Sequence, residues 1–186
     1  ENPDVYFQHT EASNRFYDAM PDIVADYMAK ISEITGRTYK PFNYYGAEDA
    51  ESVIVSMGSL SDVVKQAVDY LNGKGEKVGS INVHLYRPFS AKYLSAVLPK
   101  TVKKIAVIDR TKEPGSLGEP LYLDIVDFVK EQGLDIDVIG GRAGLGSKDV
   151  VPEDILPVFE EVKKEHPLNG FTIGIVDDVT NLSLPR

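Results

Sequence analysis

The stretch 81-INVHLYRPFSAKYLSAVLPKTVKKIAVIDRTKEPGSLGEPLY-122 carries two strand-to-turn-to-helix units without a break. Its second apolar run, Ile105 to Ile108, predicts a buried strand. That strand ends in a charged turn, Asp109-Arg110-Thr111-Lys112-Glu113, and Pro114-Gly115 and Gly118 then lead to a helix opening at Pro120. A charged turn in this place lies at the carboxyl edge of a strand, where open α/β sheets bind ligands or partners.

The same alternation extends outward in both directions. Strands are predicted over 52–57, 77–85, 104–108, 136–139 and 171–176. Between them, Val63, Val64, Ala67, Val68 and Leu71 mark one helical face, and Ser90 is positioned to cap a helix bearing Tyr93, Leu94, Val97 and Leu98. A helix from Pro120 ends at Gly133, and another covers 152–164, with Pro157 expected to bend or restart it. Strands separated by helices across short connections require a mostly parallel sheet covered on both faces. The expected fold is therefore α/β, a three-layer α/β/α sandwich around a sheet of about five strands. Residues 1–186 should form one domain: a leading helix and connecting segment over 1–51, and the α/β core over 52–180. Helix 21–35, with Ile23, Val24, Tyr27, Met28, Ile31 and Ile34 at helical spacing, should pack on the sheet. In segment 37–51, Phe42 and the tyrosines should cover a core edge.

Composition narrows the function classes. With 29 acidic against 20 basic residues, the net charge of −9 argues against a nucleic-acid-binding surface. The chain contains no cysteine, which excludes a disulfide framework, a cysteine nucleophile and thiolate ligation of zinc or iron–sulfur clusters by these residues. No apolar run approaches the roughly 18 residues that suggest a membrane helix, and the polar, acidic start is unlike a signal peptide, so a soluble cytoplasmic protein is expected. The chain opens at Glu1-Asn2-Pro3 without methionine and closes on Leu184-Pro185-Arg186 directly after a strand pattern; it is expected to be a fragment of a longer multidomain chain.

Few residues carry chemistry. Ser59, at the start of a helix after Gly58, is a candidate weak anion site through free backbone amides. The run Gly140-Gly141-Arg142-Ala143-Gly144-Leu145-Gly146-Ser147-Lys148 has Ser before Lys, the reverse of a phosphate-binding loop, and is expected to form a flexible interface loop with Arg142 and Lys148 as contacts to an acidic group. Asp109, Arg110, Lys112 and Glu113 are candidate contacts to a neighbouring domain or subunit. Asp177-Asp178 lacks a third carboxylate at useful spacing for magnesium, and the three histidines are too far apart to form a ligand or base pattern. No catalytic, cofactor-binding or metal-binding residue is assigned.

Five segments in order resemble the second core domain of the pyruvate:ferredoxin (flavodoxin) oxidoreductase family, itself similar to the transketolase C-terminal domain. They are Asn2-Pro3-Asp4-Val5-Tyr6-Phe7-Gln8, Val53-Ile54-Val55-Ser56-Met57-Gly58-Ser59, Leu85-Tyr86-Arg87-Pro88-Phe89-Ser90, Ala106 through Gly115 and Gly174 through Thr180. The resemblance implies a parent enzyme, a cytoplasmic homodimer of anaerobic metabolism, that decarboxylates pyruvate oxidatively with coenzyme A and reduces ferredoxin or flavodoxin. It implies thiamine diphosphate, Mg²⁺ and [4Fe–4S] clusters, all held by other domains, with this domain packing against the thiamine-binding one and contacting the second subunit. Two alternatives remain: a subunit domain of another 2-oxoacid:ferredoxin oxidoreductase, and a free-standing anion- or nucleotide-binding α/β module.

Overall fold

A computed structural model of the chain describes residues 2–177 and 179–186. The strands lie where apolar side chains run continuously. β2 (Ser52–Met57) and β4 (Lys104–Asp109) are buried along nearly their whole length, as strands covered on two faces must be. With β3 (Val78–Val83), β5 (Asp137–Arg142), β6 (Phe171–Thr172) and β1 (Phe42–Gly46) they form a six-stranded sheet of order β1-β3-β2-β4-β5-β6. Every neighbouring pair is parallel except β1 with β3, which run antiparallel from Phe42 opposite Val83 to Gly46 opposite Gly79.

Alternate residues of each strand face opposite layers. Ile54, Ala106, Ile108 and Ile139 join one core with α3 (Leu60–Gly73) and α6 (Pro152–Val162). Val53, Val55, Ile105 and Val107 join a second core with α4 (Ala91–Val97) and α5 (Pro120–Glu131). The three-layer, mostly parallel α/β fold expected from the sequence is the one observed.

Several details differ from expectation, each for a local reason. The sheet has six strands because segment 37–51 contains β1; Phe42 is 1% exposed there, and its neighbours pair along β3. β5 runs on through Gly140, Gly141 and Arg142, so the first third of the expected interface loop is sheet. The last strand stops after Thr172, whose N–H and C=O bond to Leu182 and Leu184, and Ile175 and Val176 lie exposed beyond it. Ser90 occupies the N-cap of α4 but makes no side-chain cap bond. α6 continues through Pro157 as one helix.

The N-terminal helices depart furthest from the reading above. α1 (Pro3–Ala12) is followed by α2 (Asn14–Thr35), which starts before Pro21 and passes through it. α2 does not pack on the sheet along its apolar stripe. Pro21 is buried and Val24 and Met28 are half-buried, but Ile23, Tyr27, Ile31 and Ile34 are exposed. Asp22 ties the helix to α4, accepting from Lys92 Nζ at 2.7 Å and Tyr93 Oη at 2.8 Å.

Candidate functional site

The chain leaves β2 for β3 on one side and returns from β3 to β4 on the other side of β2. The carboxyl ends of β2 and β4 therefore diverge, the switch point at which open α/β sheets form their ligand crevices. Consecutive residues at the end of β4 take opposite directions from this point.

Asp109 turns toward α5. Its carboxylate accepts N–H bonds from Leu121 at 3.0 Å and Tyr122 at 3.1 Å, capping the helix, and the residue is 1% exposed. Burial holds this carboxyl above the usual aspartate range, opposed by the two amides. Beside it, Arg142 donates from Nη1 to both Glu119 oxygens, at 3.3 and 3.4 Å, and from Nη2 to the Gly170 carbonyl at 2.6 Å. Both partners are buried. The expectation that Asp109 and Arg142 meet a neighbouring molecule is thus corrected: both are internal, one capping a helix and the other joining β5, α5 and the approach to β6.

The glycines of the 140–148 run follow the same logic. A Cβ on Gly140 would come within 2.7 Å of the Tyr122 ring, and one on Gly141 within 2.1 Å of the Phe171 ring. These glycines admit aromatic side chains against the sheet; they do not form a phosphate cradle. Lys112 and Glu113 remain exposed on the loop between β4 and α5, together with Leu117, which is 96% exposed at its tip.

Arg110 turns the other way, toward α3. It lines a cavity of about 170 Å³ with Ser59, Leu60, Val63, Gly144 and Lys148, so three residues singled out separately in the sequence share one cleft. Arg110 Nε donates to the Gly144 carbonyl at 3.0 Å. Gly144 follows β5 at φ 68°, in the left-handed region that admits glycine most readily. A second polar group lies beyond β3. Arg87 Nη1 pairs with Asp124 Oδ2 at 2.8 Å and its guanidinium lies 3.9 Å from the Tyr86 ring centroid. Burial, with Asp124 nearby, pushes the Tyr86 phenol up to about 12.

Sequence reading missed the Glu119–Arg142 pair, because 23 residues separate its members and neither has a local signature. It also missed the aromatic partners of Gly140 and Gly141. A signal for the latter existed: two glycines continuing a β-rich run suggest close approach of other groups. Of Asp177-Asp178, Asp178 lies outside the described residues. Asp177 accepts N–H bonds from Val179 at 2.9 Å and Thr180 at 3.1 Å, and hydrogen bonding, led by the Thr180 side chain, holds it below the usual carboxylate range. Among the described residues no group of three or more His, Asp or Glu side chains could hold a metal ion, and no helix is long and apolar enough to cross a membrane.

Fold and switch-point edge together define a doubly wound α/β domain whose polar groups gather at the carboxyl ends of its strands. The sequence model of the family described as pyruvate:ferredoxin oxidoreductase core domain II matches residues 50–155, and the chain belongs to that family. The chain is 55% identical over 185 residues to the pyruvate-flavodoxin oxidoreductase of Enterobacter agglomerans, and 55% identical over 184 residues to the pyruvate:ferredoxin oxidoreductase of Moorella thermoacetica. These alignments cover 100% and 99% of the chain, which spans 16% of the length of each relative. A solved 2-oxoglutarate:ferredoxin oxidoreductase from Magnetococcus marinus, 22% identical, superposes on 72% of the chain and 21% of its own with a TM-score of 0.50, a likeness of fold.

Proposed function

We propose that this chain is the core domain II of an enzyme that oxidatively decarboxylates pyruvate with coenzyme A and reduces ferredoxin or flavodoxin, acting there as a structural domain in a cytoplasmic homodimer. Pyruvate is favoured over other 2-oxoacids because the relatives at 55% identity are named for pyruvate. Thiamine diphosphate with Mg²⁺ would supply the carbon chemistry and [4Fe–4S] clusters the electron path. The donor set of this chain does not suit them. It has no cysteine to ligate a cluster and no carboxylate–histidine grouping for a divalent cation among its described residues. Other parts of the parent polypeptide would hold these groups, and no catalytic step is assigned to this chain.

The observation that carries the structural role is the exposed apolar stripe of α2. Ile23, Tyr27, Ile31 and Ile34 are 49%, 61%, 46% and 84% exposed along one side of the helix, and Phe16 and Tyr17 extend the surface at 60% each. A contiguous apolar surface of this kind marks a protein–protein contact. The loop bearing Lys112, Glu113 and Leu117 offers a second contact at the sheet edge. A domain that holds its neighbours in register affects catalysis through position, since a misplacement of about 1 Å can lower a rate on the order of 100-fold.

The test is made on the polypeptide that carries this sequence. It should contain thiamine diphosphate and iron, and reduce ferredoxin or flavodoxin only with pyruvate and coenzyme A. Tyr27→Asp/Ile31→Asp should lower its native mass or its turnover while leaving the circular dichroism of the domain unchanged. A polypeptide without either cofactor would overturn the enzymatic assignment. Wild-type assembly and turnover in the double variant would overturn the role of α2.

A further inference from the structure

We infer that the cleft between the start of α3 and the turn after β5 binds one tetrahedral oxyanion, as free phosphate or as the phosphoryl group of a small metabolite. Arg110 and Lys148 reach it from two different connections, after β4 and after β5. In a chain carrying 29 acidic residues, neither has a carboxylate partner within salt-bridge distance among the described residues. The bond from Arg110 Nε to the Gly144 carbonyl fixes the guanidinium plane and leaves its terminal nitrogens to bind a planar or tetrahedral oxyanion edge.

The third side of the cleft is the N-terminus of α3. Ser61 and Asp62 donate to the Gly58 and Ser59 carbonyls, while Ser59 makes no side-chain cap bond there. Ser59 and Leu60, which precede the first residues to donate in this turn, line the cleft, and the positive end of the α3 dipole adds to the two cations. Asp149 also lines the cavity, so the formal charge around it is two positive and one negative before the helix is counted. That balance favours a small dianion held at the Arg110 and α3 side.

Size narrows the ligand class. About 170 Å³ lies well below the roughly 300–1,000 Å³ of pockets that enclose drug-sized molecules, which excludes burial of a dinucleotide and fits one phosphate-sized group. Leu60, Val63, Ala143 and Val150 supply the remaining lining, an apolar floor beneath the exposed Ser59, Arg110 and Lys148.

The test is equilibrium dialysis of radiolabelled inorganic phosphate against the polypeptide that carries this domain, with adenosine monophosphate titrated in parallel. Arg110→Ala/Lys148→Ala should bind one phosphate fewer, or bind that phosphate at least tenfold more weakly. Ser59→Asp keeps a favoured N-cap residue, so the helix start is retained, but places a carboxylate in the cleft and should expel phosphate as well. Thermal unfolding of both variants confirms that they are folded. Equal affinity for the two probes identifies the oxyanion itself as the ligand, and tighter binding of the monophosphate identifies a phosphorylated metabolite. Unchanged phosphate stoichiometry in folded Arg110→Ala/Lys148→Ala and Ser59→Asp, or no variant-sensitive phosphate at about 10 mM, a concentration well above a millimolar Kd, would overturn the inference.

Discussion

Asp109 shows how one side chain can hold a strand end and a helix start together. Replacing it with alanine removes both acceptors for the Leu121 and Tyr122 amides. Loss of such a cap costs about 1–2 kcal/mol, so Asp109→Ala should lower the Tm by roughly 3–6 °C. The same carboxyl has a pH signature. Burial raises its folded-state pKa above the ordinary 3.8, so the folded state holds the proton more tightly than the unfolded state does. Its contribution is complete below the unfolded value and is lost as the pH rises through the folded one. Wild type should therefore gain stability relative to Asp109→Asn as the pH is lowered from 7 to 4, read by denaturant unfolding at each pH. An opposite or absent trend would show that the amides, not burial, dominate. The capping role was not legible in the sequence, where Asp109 resembles its exposed neighbours Lys112 and Glu113; only the path of the chain after Gly118 brings the start of α5 back over the end of β4.

Elements pack through positions where a side chain is missing. Gly141 lies in β5 directly beneath the ring of Phe171 in β6, and the ring is fully buried. Gly141→Ala should destabilise by about 1–3 kcal/mol through overpacking, and Gly141→Ala/Phe171→Leu should recover part of that loss in a chemical-denaturation series. Additive losses would show that the ring is not what the glycine accommodates. Hydrophobic periodicity found every helix of the core and the centres of the four strands β2 to β5, because burial on one stripe or two faces writes itself into local spacing. It failed at β1, where aromatic residues pair along an edge, and at β6, where the segment ending at Leu184 takes the hydrogen bonds that a longer strand would have used. It misread α2 for a related reason: the helical spacing of Ile23, Tyr27, Ile31 and Ile34 is real, yet spacing does not say what lies against the stripe.

At the scale of the whole molecule, the α/β core and the N-terminal helical arm are nearly independent. Pro21 is the single buried residue of α2 and α1 has none, while the Asp22 links to α4 are exposed and weak in water. A chain beginning at Arg37 should keep its far-ultraviolet spectrum, less the arm's helix, and melt within about 3 °C of the full chain, since surface changes away from the core shift stability little. A larger fall would show that the arm belongs to the core. The alternation of apolar runs and helical stripes determined, without further help, that the chain forms a three-layer sheet domain, and the absence of cysteine determined that it holds no thiolate-ligated cluster, because both follow from residue type and local period. The tertiary structure decided which charges are available. It buried Asp109 and Arg142, left Lys112 and Glu113 in solvent, and gathered Ser59, Arg110 and Lys148 into one cleft. The reason is topological: residues some 40 to 50 positions apart become neighbours only when parallel strands end side by side at the point where their order reverses.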